Sequence, residues 1–181
     1  MSINCRKEIE GLKPYKPGKP IEDVKREYGL DRVVKLASNE NPLGCSEKVK
    51  EKLRNSLDNL AIYPDGNATA LKEALSEKLN VPTEKILTPS GSDEIIDLIS
   101  KTYISPGDEV IMADITFPRY IATTKMMGGI PIIVPLKDFT YDLDGMLDKI
   151  TDKTKLIWIC NPNNPTGTMV TEAELIEFFD K

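Results

Sequence analysis

Apolar and polar positions run along this chain in two rhythms, and the switches between them lay out the elements. Between residues 46 and 60, Val49, Leu53, Leu57 and Leu60 fall three and four apart, the spacing that gathers side chains on one helical face. That spacing predicts a helix over 46–60. Leu71, Ala74, Leu75 and Leu79 predict a second, with Asn67 placed to cap it. Further helices are predicted over 93–103, over 118–127 with a stop at Gly128-Gly129, and over 143–150. Thr171-Glu172-Ala173-Glu174 has the residues of a capping box and opens a last helix. Shorter apolar runs bounded by turns lie between these. Residues 109–113 and 155–160 read as buried strands, 130–134 as a strand, and 32–37 and 85–88 as brief ones. Near the amino terminus, residues 24–28 predict a short helix stopped by Gly29, after a Pro-rich arm over 11–20. Strands alternating with helices define an α/β protein with a mostly parallel sheet.

Composition narrows the chemistry. The chain has 181 residues, 40% hydrophobic and 29% charged, enough to bury a sizeable core and unlike a disordered chain. It contains no histidine, so Ser-His or Cys-His nucleophile pairs and His-ligated zinc are excluded. No metal site is expected. The net charge is −5 and basic residues are interleaved with acidic ones, which argues against nucleic-acid binding. Cys5, Cys45 and Cys160 form no C-x-x-C pair, which points to a reducing compartment, read as the cytoplasm. The charged first ten residues do not look like a secretory signal. Residues 128–136, the longest apolar stretch, are too few to cross a bilayer. The last predicted helix has only begun at Lys181, so the chain is expected to be part of a larger fold.

In an open α/β sheet, ligands bind beyond the carboxyl ends of the strands. After residues 85–88 comes Ser90-Gly91-Ser92-Asp93-Glu94 at a helix start. It is either a plain N-cap or a place where free N–H groups meet a phosphate. After 109–113, Phe117 precedes a helix and could stack on a flat ligand or simply cover the sheet end. After 155–160 comes Asn161-Pro162-Asn163-Asn164-Pro165-Thr166-Gly167. Two Asn-Pro steps keep the backbone out of helix directly after a buried strand, a feature that a generic turn composition does not explain.

This last segment resembles the N-P-x-N-P-T-G signature of pyridoxal-phosphate aminotransferases of the aspartate-aminotransferase fold. Four more segments match in order: Ser38-Asn39-Glu40-Asn41-Pro42, Tyr63-Pro64-Asp65, Gly91-Ser92-Asp93-Glu94 and Thr116-Phe117-Pro118. Together they span nearly the whole chain and are most similar to the histidinol-phosphate branch of the family.

The resemblance implies a three-layer large domain, incomplete here, over residues 32–181, after an arm and small-domain segment over 1–31. It implies pyridoxal 5'-phosphate as cofactor. Gly91, Ser92 and Asp93 would cradle its phosphate, Phe117 would stack on its ring, and Asn164 would donate to the ring's 3-hydroxyl oxygen. Tyr63 would reach the phosphate of the neighbouring subunit's cofactor, which requires a homodimer. Tyr15 and Asn39 would face the substrate. The implied reaction is transamination between histidinol phosphate and 2-oxoglutarate, in histidine biosynthesis. Threonine-phosphate decarboxylase, another aminotransferase of this fold, and a non-catalytic binding or oligomerisation module are the alternatives. The family's cofactor-bearing lysine follows a Ser by three residues, and no Ser here has such a Lys. The chain is therefore expected to be inactive alone. With strands missing, it is also expected to expose apolar surface and to associate or be of low stability.

Overall fold

A computed structural model describes residues 4–12 and 17–181; Tyr15 lies outside the described residues. The chain divides into two compact units, one of residues 13–86 and the other of Leu87–Lys181 together with the stretch up to Leu12.

The larger unit is built on a parallel sheet. Strands β1 (Glu109–Ala113), β2 (Ile130–Val134) and β3 (Thr154–Ile157) lie in the order β2-β1-β3. β1 pairs with β2 from Glu109↔Ile130 to Ala113↔Val134. Its register with β3 shifts between Glu109 and Val110. The central strand is apolar at every position after Glu109 because it is covered on both faces. Ile111 and Ala113 join a cluster with Val134, Tyr141, Met146, Val170 and Phe178, while Val110 and Met112 join Ile96, Ile104 and Tyr120. Helices α4 (Gly91–Tyr103) and α5 (Arg119–Met126) supply the second cluster. α6 (Leu143–Leu147) and α7 (Glu172–Asp180) supply the first. These are the three layers expected of the fold class. Full burial of Val110, Ile111 and Met112 contributes about 1.5–3 kcal/mol each. β2 carries Pro131, which an edge strand tolerates because its outer side needs no donor.

The smaller unit holds α1 (Ile21–Tyr28), α2 (Glu47–Arg54) and α3 (Thr69–Leu79). Gly29 ends α1 in the left-handed conformation at φ 63°, as a glycine there allows. None of the unit's described residues is buried. The apolar stripe Val49, Leu53, Leu57 and Leu60 is exposed.

Several predicted elements differ from those observed. Residues 32–37 form no strand, and Leu36 is 95% exposed. A strand exists only by pairing, and among the described residues nothing pairs with this run. Residues 85–88 likewise stay unpaired after a 3-10 turn over Thr83–Lys85. The helix expected to reach Leu60 stops at Arg54 and gives way to a 3-10 turn over Leu57–Asn59. Near that stop the Ser56 hydroxyl donates back to the Lys52 carbonyl at 2.7 Å, a local bond that competes with helix continuation. Asn67 does not cap α3. Asp65 does so instead, accepting the Asn67 and Thr69 N–H groups at 2.9 and 2.8 Å. α6 ends three residues early, at Leu147. The predicted capping box of Thr171 and Glu174 is present in full.

Candidate active site

The loops leaving the carboxyl ends of the three strands are tied together by side chains. After β1, Asp114 Oδ1 accepts the Leu136 N–H from the loop after β2, at 3.0 Å. After β3, Asn163 Nδ2 donates to the Ile115 carbonyl at 2.9 Å. Tyr141, between β2 and α6, meets both neighbouring loops. Its hydroxyl lies 2.7 Å from Thr116 Oγ1, accepts the Cys160 N–H at 2.9 Å, and donates to Asn163 Oδ1 at 3.4 Å. Burial pushes the Tyr141 hydroxyl pKa up, against the smaller opposing effects of Thr116 and the Cys160 N–H, so it remains a proton donor at neutral pH.

The three asparagines of residues 161–164 have different tasks. Asn161 pairs with the Val170 backbone in both directions, its Nδ2 donating at 3.0 Å and its Oδ1 accepting at 3.1 Å. Asn163, 3% exposed, donates to Ile115 and to Thr166 Oγ1 and accepts from Tyr141. Its backbone closes the loop against Thr168 and Gly167. Both asparagines are spent on holding the loop's shape. Asn164 makes no side-chain hydrogen bond among the described residues and is partly exposed, so its amide can serve a ligand.

The start of α4 is open. No side chain caps it, and Gly91 sits at φ +78°, where a Cβ would meet nothing within 4 Å. The positive φ explains the glycine; crowding does not. Ser92 and Asp93 are exposed in the first turn, where backbone N–H groups point outward and the helix dipole favours an anion. Glu94 accepts the Ser90 N–H. Asp93 is 3.6 Å from Arg119 Nε, and Asp97 is 3.9 Å from another Arg119 nitrogen. Arg119 thus offsets the acidic charge beside the open N–H groups. These are charge contacts only, since the buried Arg119 Nε has no hydrogen-bond partner among the described residues.

Phe117 stands at the mouth of the loop between β1 and α5. It packs edge-to-face on Tyr120 (5.9 Å, 77°), and Tyr120 stacks on Trp158 (4.7 Å, 10°). Burial, with Cys160 beside it, pushes the Tyr120 hydroxyl well above its ordinary pKa. The loop over 114–119 therefore connects three predicted site elements: the α4 start through Arg119, the ring-stacking position at Phe117, and the Asn164 loop through Ile115.

Tyr63 and Asn39 belong to the smaller unit. Tyr63 is 98% exposed and follows no paired strand. Asn39 is exposed at φ 49°. Sequence reasoning did not single out Tyr141, Asn163 or the Tyr120–Trp158 stack. The doubled Asn-Pro step was the available signal for Asn163; no spacing marks Tyr141.

The strand-end loops of this α/β sheet thus carry an open helix start, a half-buried aromatic ring packed on the core, and an amide with no partner among the described residues. Residues 31–181 match the family model described as "Aminotransferase class I and II", and the chain belongs to that family. It is 57% identical over 173 residues to the histidinol-phosphate aminotransferase of Caldicellulosiruptor saccharolyticus, covering 96% of this chain and 48% of that protein. The Bacillus subtilis enzyme of the same name is 47% identical over 180 residues, covering 99% and 50%. The chain thus spans about half the length of the curated relatives it matches. In fold it is similar to the histidinol-phosphate aminotransferase of Sinorhizobium meliloti, solved in complex with pyridoxal-5'-phosphate. The TM-score there is 0.84 at 23% identity, over 96% of this chain and 46% of that one. The alanine aminotransferase of Pyrococcus furiosus is similar at a TM-score of 0.65 and 26% identity, over 78% and 38%. Among the described residues, no helix is long and apolar enough to cross a membrane.

Proposed function

We propose that this chain supplies the cofactor-phosphate and ring contacts of a pyridoxal-phosphate aminotransferase that moves an amino group from histidinol phosphate to 2-oxoglutarate. The observation that carries the cofactor reading is the division of labour after β3: Asn161 and Asn163 are consumed by the loop, and Asn164 is left with an unpaired amide. The open first turn of α4 fits the phosphate. The names of the relatives at 57% and 47% identity support the substrate.

The chemistry supplied by the group, when bound, is delocalisation of negative charge from the reacting carbon into its ring. The chain's residues position and polarise. N–H groups of Ser92 and Asp93 hold the phosphate oxygens, and Gly91 lets the backbone approach them. Asn164 donates an amide hydrogen to the ring's hydroxyl oxygen. Phe117 covers one ring face, its own plane set by Tyr120. Tyr63, with its phenol in solvent, donates to the phosphate held by a partner subunit in a homodimer. Family resemblance alone assigns Asn39 to the substrate and Tyr15 to the substrate across the dimer. The lysine that carries the cofactor comes from polypeptide outside these 181 residues, and the chain alone is inactive. The reaction takes place in the cytoplasm.

The test is an amino-transfer assay on the protein at its natural length, loaded with pyridoxal phosphate. Glutamate should form from 2-oxoglutarate with histidinol phosphate and not with threonine phosphate. Release of carbon dioxide from threonine phosphate, with no glutamate from histidinol phosphate, refutes the substrate assignment.

A further inference from the structure

We infer that Tyr141 is a positioning residue for Asn164, acting through one hydroxyl group that locks the loops after all three strands into a single hydrogen-bonded arrangement. The inference rests on the proposed contact between Asn164 and the cofactor ring.

The direction of each bond follows from counting protons. The Phe139 carbonyl can only accept, so the Thr168 hydroxyl donates to it. Thr168 Oγ1 must then accept from Thr166, 2.7 Å away, because a hydroxyl has one proton. Thr166 in turn accepts one Asn163 Nδ2 hydrogen at 2.9 Å, and the other Nδ2 hydrogen goes to the Ile115 carbonyl. Asn163 Oδ1 has one donor among the described residues, the Tyr141 hydroxyl. If Tyr141 donates there, Thr116 donates to Tyr141, and the Cys160 N–H fills the remaining acceptor site. Every group in this chain is then satisfied. Turning the Tyr141 proton toward Thr116 leaves the buried Asn163 oxygen without a donor.

The ring of Tyr141 lies in the apolar cluster with Ile111, Val134 and Met146, a place a phenylalanine would fill equally well. What the hydroxyl adds is the junction: Thr116 is the residue before Phe117, Cys160 ends the run out of β3, and Asn163 precedes Asn164. Asn164 has no side-chain anchor of its own among the described residues. Its placement is inherited from Asn163, and Asn163 is oriented from one side by Ile115 and Thr166 and from the other by Tyr141. Burial keeps the phenol protonated, so the junction persists across the neutral range.

The test compares Y141F and T116V with the parent, at natural length and loaded with pyridoxal phosphate. The readout is the pH midpoint of the visible absorption band of the bound cofactor, alongside kcat, KM and thermal stability. Y141F should retain the cofactor, move the midpoint by about one unit, and lower kcat about tenfold with KM within about twofold. T116V, which removes one of the three bonds, should move the midpoint the same way by less, and carries the test if Y141F does not fold. A variant that melts earlier with an unmoved midpoint shows a purely structural role and overturns the inference alone. A parent that takes up no pyridoxal phosphate overturns the proposed function and this inference with it.

Discussion

Asn163 and Asn164 are adjacent and chemically identical, yet their replacement by alanine should have very different consequences for stability. Asn163→Ala removes two donated bonds of 2.9 Å and the acceptor of the Tyr141 hydroxyl. The Ile115 carbonyl belongs to a residue 43% exposed and can regain water, so the two donated bonds cost about 1 kcal/mol each. The Tyr141 hydroxyl, in a residue only 6% exposed, keeps a partner by turning its proton to Thr116 Oγ1, 2.7 Å away, and adds little to the loss. The sum is about 2 kcal/mol. Asn164→Ala breaks no bond among the described residues and should stay within about 0.5 kcal/mol of the parent. Equilibrium urea unfolding without cofactor, followed by circular dichroism, measures both without contributions from ligand binding. At typical slopes of about 1–3 kcal/mol/M, Asn163→Ala lowers the midpoint by roughly 0.7–2 M. Equal loss in the two variants, or no loss in Asn163→Ala, refutes the division of labour between them.

Gly91→Ala should cost about 1 kcal/mol from the left-handed backbone alone, since there is room for the methyl; a larger loss of pyridoxal-phosphate affinity than of stability, by absorbance titration, is the expected signature of a phosphate site. Thr171→Ala should lower stability by about 1 kcal/mol in urea unfolding through loss of the α7 cap. Hydrogen bonds from Thr171 hold the Glu174 carboxyl below its ordinary pKa, and those from Thr69 do the same for Asp65. A depressed folded pKa contributes stability that is present above the unfolded carboxylate range and is lost as pH falls through the folded value. Thermal stability should therefore decline through the acid range, and Glu174→Gln should flatten part of that decline.

β1 and β2 were legible because their chemistry is redundant, whereas the buried strand expected over 155–160 is observed only as β3, which ends at Ile157 and has no buried residue. β1 and β2 are apolar runs bounded by Pro-Gly and Gly-Gly turns, and the observed limits match the expected ones. The α7 start was legible because both halves of a capping box lie in four consecutive residues. The run over 32–37 has β propensity but no partner among the described residues, and pairing is not a property of the run itself. The cap of α3 was assigned to the wrong residue because Asp65 reaches Thr69 only with Ala68 in a left-handed conformation (φ 49°), which no local pattern announces. Within the site, the Asn-Pro doublets pointed to the loop, but the different tasks of Asn163 and Asn164 depend on Tyr141 and Ile115. Those two residues lie 22 and 48 positions away from Asn163 in sequence. A buried hydroxyl that joins three loops is a tertiary fact.

The most direct measurement is a crystal structure of the protein at natural length grown with pyridoxal phosphate. The account predicts the phosphate on the N–H groups of Ser92 and Asp93, beside Gly91, whose own N–H is held by the Pro89 carbonyl, the ring against Phe117, and the Asn164 amide on the ring's hydroxyl oxygen while Asn163 keeps its bonds to Ile115, Thr166 and Tyr141. A cofactor bound away from the start of α4, or one contacted by Asn163 with its loop bonds broken, would contradict it.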